Sequence, residues 1–149
     1  MRRQVFLDQS ARMVFHAVLI GSIYLLFAGH NQPGGGFAGG LVAGAAIALR
    51  YLAGGIDDVR AISRFRPWTV LGSGLTLSAA IALAPLLKGQ PVLTSMGHEF
   101  DLPLLGHAYA STTLAFDLGV YTLVIGLVLM VFEAFGDDAA DDTVDAEAR

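Results

Sequence analysis

Long apolar runs separated by short polar segments dominate the chain, and no Asp, Glu, Lys or Arg occurs between Met13 and Leu49. A membrane-spanning helix needs about 20 consecutive, mainly apolar residues. Four segments approach or meet this requirement, at residues 11–29, 35–53, 67–87 and 111–135. The pattern therefore predicts an all-α, polytopic membrane protein with four transmembrane helices.

The composition agrees with this class, because 54% of the 149 residues are hydrophobic and only 15% are charged. That is too few charges for the surface of an ordinary soluble domain. The absence of cysteine excludes disulfides, thiolate catalysis and Cys-based metal sites. Six of the 13 acidic residues follow Gly136, so the net charge indicates no partner class. We predict a membrane domain at 1–135 and an acidic disordered tail at 136–149.

The positive residues predict the orientation. With four spans, only Lys88 falls on one side of the membrane. The arginines fall on the other, at Arg2, Arg3, Arg12, Arg50, Arg60, Arg64, Arg66 and Arg149. Positive residues concentrate on the cytoplasmic side of membrane proteins. Both termini are therefore expected to be cytoplasmic, and the segments 30–35 and 88–110 are expected to face outward.

The second span has almost no side-chain volume on one face. Small residues recur there every four positions, at Gly36, Gly40, Gly44 and Ala48, with Gly35, Gly39 and Ala43 beside them. Small residues let transmembrane helices approach closely, which matters in lipid because burial of apolar surface gives little driving force. This face can pack within the bundle or against another protein of a complex, and the sequence leaves both alternatives open. So much small-residue surface on a short chain is typical of a component of a larger assembly.

Asp117 is the acidic residue with the strongest physical claim to function. It lies in the apolar run Ala115 to Tyr121, inside the predicted fourth helix. A carboxylate in a membrane span is costly unless it is protonated, paired or in contact with water, so it is a functional candidate by default. Tyr121, one turn later, is positioned to donate a hydrogen bond on the same face. The alternative is that the helix begins later and Asp117 is an interfacial cap.

Two further expectations concern the ends of the spans. Arg50 and Glu133 both fall near the cytoplasmic side, where they can form an ion pair or extend to the headgroups. In the outward segment, residues 92–94 are expected to pair with residues 99–102 as a small hairpin. No residue spacing is specific for a metal, and no cofactor is implied.

Two motifs carry a resemblance to a known family. The first is GHNQPGGGF at 29–37, followed by Gly39, Gly40 and Leu41; the second is FDLGVY at 116–121. Together they resemble the MnhB family, which supplies one small subunit of the Mrp-type multisubunit Na⁺/H⁺ antiporter, also called Mnh, Sha or Pha. The joint presence of both motifs is far more specific than either alone. The resemblance extends from the first helix to the fourth and excludes the acidic tail.

The resemblance implies a non-enzymatic, multi-pass subunit in the cell membrane of a prokaryote. The implied complex exchanges cytoplasmic Na⁺ for external H⁺, driven by the proton-motive force. Implied partners are the other antiporter subunits, including complex I-like ones, and the lipid bilayer, but no nucleic acid. The motif positions carried over are Pro33, Gly34, Gly35, Gly36, Phe37 and Asp117. The family is also linked to domains of membrane-bound hydrogenases, which leaves the transported ion open.

These observations give a mechanistic hypothesis and two alternatives. Pro33 and the glycines let the second helix start against a neighbouring subunit, with Phe37 as a packing wedge, while Asp117 and Tyr121 line an ion path. Alternatively, the chain is a purely structural subunit of a complex I-related or hydrogenase-type complex. A self-sufficient homo-oligomeric carrier is disfavoured, because only one acidic residue lies well inside the membrane.

Overall fold

A computed structural model describes residues 2–29, 34–63, 65–94, 97–102 and 106–147, and side chains within 13–29, 34–63, 65–87, 89–94 and 112–136. Four helices form most of it: α1 (Arg2–Ala28), α2 (Gly36–Ile62), α3 (Pro67–Leu83) and α4 (Thr112–Glu147). A 3₁₀ segment, Ala84–Lys88, extends α3. Two strands, β1 (Gly97–Leu102) and β2 (Gly106–Ser111), precede α4.

The helices pack in the order α1, α2, α4, α3, so that α4 lies between α2 and α3. The main apolar core joins α1, α2 and α4 and includes Phe15, Ile47 and Leu129. Tyr51 stacks on Phe132 beside it, with ring centroids 4.8 Å apart. Many large apolar side chains elsewhere remain exposed, Leu87 to 92% and Met13 to 78%. This exposure is expected of a bundle whose outer surface contacts lipid or other membrane helices.

Three helices among the described residues are long and apolar enough to cross a membrane: Gly36–Ile62, Pro67–Leu87 and Thr112–Gly136. A shorter apolar helix, Met13–Ala28, corresponds to the first predicted span. The mainly helical membrane architecture is therefore confirmed, with three candidate spans and one shorter apolar helix. The number four and the orientation of the termini stay predictions.

A break at Gly55 divides α2. The backbone there has φ 73° and ψ −164°, a conformation that glycine adopts without steric cost. The residues after the break fold back, so the guanidinium of the buried Arg50 meets the carboxylate of Asp58 at 2.8 Å. Glu133 instead lies 3.9 Å from Arg60. The expected pairing of Arg50 with Glu133 is therefore wrong, because the break supplies Arg50 with a nearer carboxylate from its own helix.

The hairpin before α4 differs in register from the expected one. Residues 99–102 form part of β1, as predicted, but they pair antiparallel with β2, from Glu99 opposite Tyr109 to Leu102 opposite Gly106. The predicted partner segment, 92–94, contains a turn in which the amide of Thr94 donates to the carbonyl of Pro91 at 3.3 Å. Leu93 has φ 63°. A proline without an N–H and a left-handed residue do not suit a strand.

The acidic tail also differs from the prediction of disorder. The backbone of α4 continues beyond Gly136 to Glu147. Extending an existing helix avoids the cost of nucleation, and alanine, which recurs in this segment, is the best helix former. The described part of the tail is therefore a helical extension of α4.

Candidate ion site between α2 and α4

The start of α2 lies against the second turn of α4, which brings the two sequence motifs together. Gly35 precedes α2 with φ 90° and ψ −174°, in the region that favours glycine. Its amide donates to the carbonyl of Leu25 in α1 at 3.0 Å. This bond fixes the tight connection from α1 into α2 and places the first turn of α2 beside Asp117.

Gly36 provides the closest approach between the two helices. A Cβ atom at Gly36 would overlap the backbone carbonyl oxygen of Asp117 and lie 2.7 Å from its carbonyl carbon and 2.9 Å from its Cα. All three are backbone atoms, so no side-chain rotation can relieve the overlap. Only glycine fits this position without separating α2 from α4.

The carboxylate of Asp117 lies over Gly35. A Cβ atom built on Gly35 would be 3.3 Å from Oδ2 and 3.5 Å from Oδ1. The first N–H groups of a helix have no partner within the helix, and the positive end of its dipole attracts negative charge. Among the described residues, no ion pair to Asp117 is found. The start of α2 is therefore the main electropositive feature beside this acid.

Asp117 is only moderately deep in the membrane. At 1.5 Å per residue it lies about 7.5 Å along the helix axis from Thr112, where the candidate span begins. The 25-residue span is about 37 Å long against about 30 Å of hydrocarbon. If the span is centred, Asp117 lies about 4 Å inside the hydrocarbon edge. It is therefore close enough to the surface for water to reach it.

A half-open cavity of about 270 Å³ lies next to Asp117. Its walls combine this acid with three threonines and three apolar residues: Thr94, Thr112 and Thr113, with Ile81, Leu93 and Phe116. Water occupies about 30 Å³ per molecule in the liquid, so the cavity has room for several. A carboxylate with hydroxyls and water suits a hard cation or a proton. No cluster of three or more His, Asp or Glu side chains suited to a metal occurs among the described residues.

Tyr121 is directed away from Asp117, towards α1. Its hydroxyl lies 3.0 Å from Oγ of Ser22, which is fully buried. Because Ser22 donates its single hydroxyl proton to the carbonyl of Leu19 at 2.8 Å, Tyr121 is the donor to Ser22. The ring passes over Gly39, where a Cβ atom would be 3.3 Å from Cδ2 of Tyr121. Tyr121 therefore joins α4 to α1 across the small-residue face of α2.

Removal of the Tyr121 hydroxyl is expected to affect stability more than transport. Tyr121→Phe loses one hydrogen bond, worth about 1 kcal/mol, and leaves Ser22 bonded to Leu19. We expect a small fall in thermal stability and near-normal exchange. Thermal unfolding of the purified chain and exchange in membrane vesicles measure the two effects. Unchanged stability with strongly reduced exchange would instead assign Tyr121 to the ion path.

The other predicted packing residues have different surroundings. Gly40 lies against Val124 and Gly44 against Val128, where added Cβ atoms would be 2.8 Å from side-chain carbons. A Cβ at Gly34 would be 2.7 Å from the carbonyl oxygen of Leu25. These glycines therefore contact helices of the same chain, which is one of the two alternatives that the sequence left open.

Phe37 and Pro33 complete the predicted set. Phe37 is 61% exposed, so its ring is not packed within the chain and is available to a neighbouring molecule or lipid. Pro33 lies outside the described residues.

A second glycine-mediated contact, between α3 and α4, was not predicted. Gly74 lies against the backbone of Gly119 and Leu123, and Gly119 lies against Ser78. Gly126 meets the backbone of Leu71. Gly119 and Gly126 are seven residues apart, which places them on one face of a helix. That spacing is the signal in the sequence from which this contact could have been found.

Comparisons with known proteins agree with the architecture. Residues 6–130 match the family model described as "Domain related to MnhB subunit of Na+/H+ antiporter". The chain is 38% identical over 137 residues to the corresponding Na(+)/H(+) antiporter subunit of Alkalihalophilus pseudofirmus, covering 90% of this chain and 93% of that protein. It is 35% identical over 134 residues to the equivalent antiporter protein of Bacillus subtilis, covering 90% and 94%.

A solved structure is also similar. A chain in the structure of the Mrp complex from Dietzia sp. DQ12-45-1b matches with a TM-score of 0.76 and 31% identity. The match covers 91% of this chain and 14% of that one, which is much longer. The match of the family model and the identity to full-length relatives together show that this chain belongs to the MnhB family of Na⁺/H⁺ antiporter subunits.

Proposed function

We propose that this chain is the MnhB subunit of a Mrp-type antiporter in the cell membrane of a prokaryote, and that the complex exchanges cytoplasmic Na⁺ for external H⁺. The proposal is supported by relatives named as antiporter subunits and by the similarity to a chain of a Mrp complex. Its partners are the other subunits, including complex I-like antiporter subunits. The chain itself is not an enzyme and needs no cofactor.

The orientation belongs to the same proposal. α1 crosses the membrane as the fourth span, and both termini are cytoplasmic. The asymmetry of the arginines and Lys88 supports this arrangement. The cavity beside Asp117, at the start of the α4 span, then opens towards the outside, from which protons enter.

Within the complex, Asp117 contributes to the ion path. The observation that carries this role is the carboxylate beside the start of α2, facing a cavity lined by hydroxyl groups, without an ion pair among the described side chains. A carboxylate in such a place can exchange a proton with water or hold a cation temporarily. The start of α2 stabilises its negative charge when neither is bound.

The second candidate is a purely structural subunit of a complex I-related or hydrogenase-type assembly. It is favoured by the glycine contacts that hold α2, α3 and α4 together, and by the moderate depth of Asp117. In that case the acid is an interfacial group, and its ionisation has no effect on transport.

Co-purification tests membership of the complex. The tagged chain, extracted from its native membrane in mild detergent, is expected to run as a large assembly that contains complex I-like antiporter subunits. Native mass and peptide identification measure this. A small homo-oligomer without such partners would overturn the proposal, and the chain would then be assayed alone in liposomes.

A further inference from the structure

A basic cleft lies where α2 ends and α3 begins. It has a volume of about 180 Å³. Its lining includes the apolar side chains of Val59, Phe65 and Leu129 and the charged ones of Arg60, Arg66 and Glu133. This basic cleft is at the opposite ends of α3 and α4 from the cavity beside Asp117, so it is not part of the ion site.

The ends of the candidate spans place this cleft at a membrane surface. The α3 span begins at Pro67, which lines the cleft, and the α4 span ends at Gly136, one turn beyond Glu133. Trp68 is 54% exposed and Phe65 is 71% exposed beside it. Tryptophan is enriched at the level of the lipid headgroups. The cleft is therefore at the depth where headgroups meet acyl chains.

The charged groups of the cleft carry a net positive charge. Glu133 lies 3.9 Å from Arg60, which offsets one arginine. The guanidinium of Arg66 stacks over the ring of Trp68 at 5.3 Å, and no carboxylate pairs with it among the described side chains. Stacking on an aromatic ring leaves the N–H groups at the edge of a guanidinium able to bind an anion. One positive charge remains for an external ligand.

We propose that the basic cleft binds the phosphate headgroup of an anionic phospholipid. Arg66 contacts the phosphate, Arg60 adds to the positive potential, and Trp68 holds the glycerol region. One acyl chain lies along Phe65 and the apolar wall of Val59 and Leu129. Basic pockets between membrane helices bind anionic lipids in this way.

The combination of charge and apolar surface favours a lipid over other occupants. A free anion would have no use for the apolar wall, because its binding is purely electrostatic. A transmembrane helix from another subunit would have to place apolar side chains against two arginines. Only an amphiphilic anion matches the arginines, the tryptophan at headgroup depth and the apolar wall together.

Lipid titration of the purified whole complex tests the proposal. Native mass spectrometry follows binding of phosphatidylglycerol, with phosphatidylcholine as the zwitterionic comparison. Arg66→Gln is expected to weaken phosphatidylglycerol binding about five-fold, the factor that corresponds to about 1 kcal/mol per arginine at a membrane surface. Lys88→Gln, the same loss of charge at the other end of the α3 span, is the matched control and is expected to change nothing.

A second measurement uses the unmodified complex, so that a variant that fails to assemble does not decide the result. Photoactivatable phosphatidylglycerol is expected to label peptides within 56–68, and excess inorganic phosphate is expected not to compete. Equal phosphatidylglycerol binding by the Arg66→Gln and Lys88→Gln complexes would overturn the proposal. Labelling absent from 56–68, full competition by phosphate, or a cross-link from this segment to another subunit would overturn it as well. None of these outcomes depends on the role of Asp117.

Discussion

Replacing Asp117 with Asn is expected to reduce Na⁺/H⁺ exchange about tenfold or more, within the range of typical coupling free energies, while the complex still assembles. Asn has nearly the same size as Asp, so the contact with Gly35 and the cavity wall are retained. It cannot ionise, and it therefore cannot release a proton or neutralise a cation. Exchange is measured in everted membrane vesicles as Na⁺-induced dissipation of the proton gradient.

The matched control is Asp57→Asn, the same chemical change at an exposed position beyond the break in α2. It is expected to leave exchange unchanged. Asp117→Glu keeps the charge but moves it, and is expected to retain part of the activity. Normal exchange by the Asp117→Asn complex would refute the coupling role and favour the purely structural subunit. Loss of assembly in Asp117→Asn would show that the carboxylate acts on the start of α2 rather than on an ion.

The apolar pattern was sufficient to locate the helices. The segments predicted at 35–53, 67–87 and 111–135 all lie within helices of the structure to within a residue or so at their ends, because an apolar run of membrane length has few other stable conformations in lipid. The predictive value of the two motifs was also spatial. The structure places the glycines of the first beside Asp117 of the second, which are about 80 residues apart in sequence.

The polar pairings could not be predicted in the same way. Arg50 was expected to meet Glu133 because both fall near one membrane face, yet Asp58 is the nearer acid in the structure. That contact exists because Gly55 takes a positive φ, and a glycine near the end of an apolar run does not reveal whether it breaks the helix. The direction of Tyr121 was equally hidden, since its partner Ser22 is 99 residues away.

Gly36→Ala is expected to destabilise the chain by about 3 kcal/mol, the upper end of the cost of overpacking a core. The new Cβ atom would overlap the backbone of Asp117, so α2 and α4 must separate along the contact that continues through Gly40 and Gly44. We expect a lower midpoint of thermal unfolding in detergent and less complex in the membrane. Exchange per assembled complex is also expected to fall, because the start of α2 moves away from the carboxylate.

Gly72→Ala provides the matched control for this substitution. Gly72 lies inside α3, and a Cβ atom there would have no atom of the chain within 4 Å beyond its own helix backbone and immediate neighbours. Alanine in a helix is favoured over glycine by about 0.5–1 kcal/mol, so this variant is expected to be as stable as the original chain or slightly more so. If Gly36→Ala and Gly72→Ala unfold at the same temperature, the close approach of α2 to α4 is incorrect. The placement of Asp117 beside the start of α2 would then lose its support.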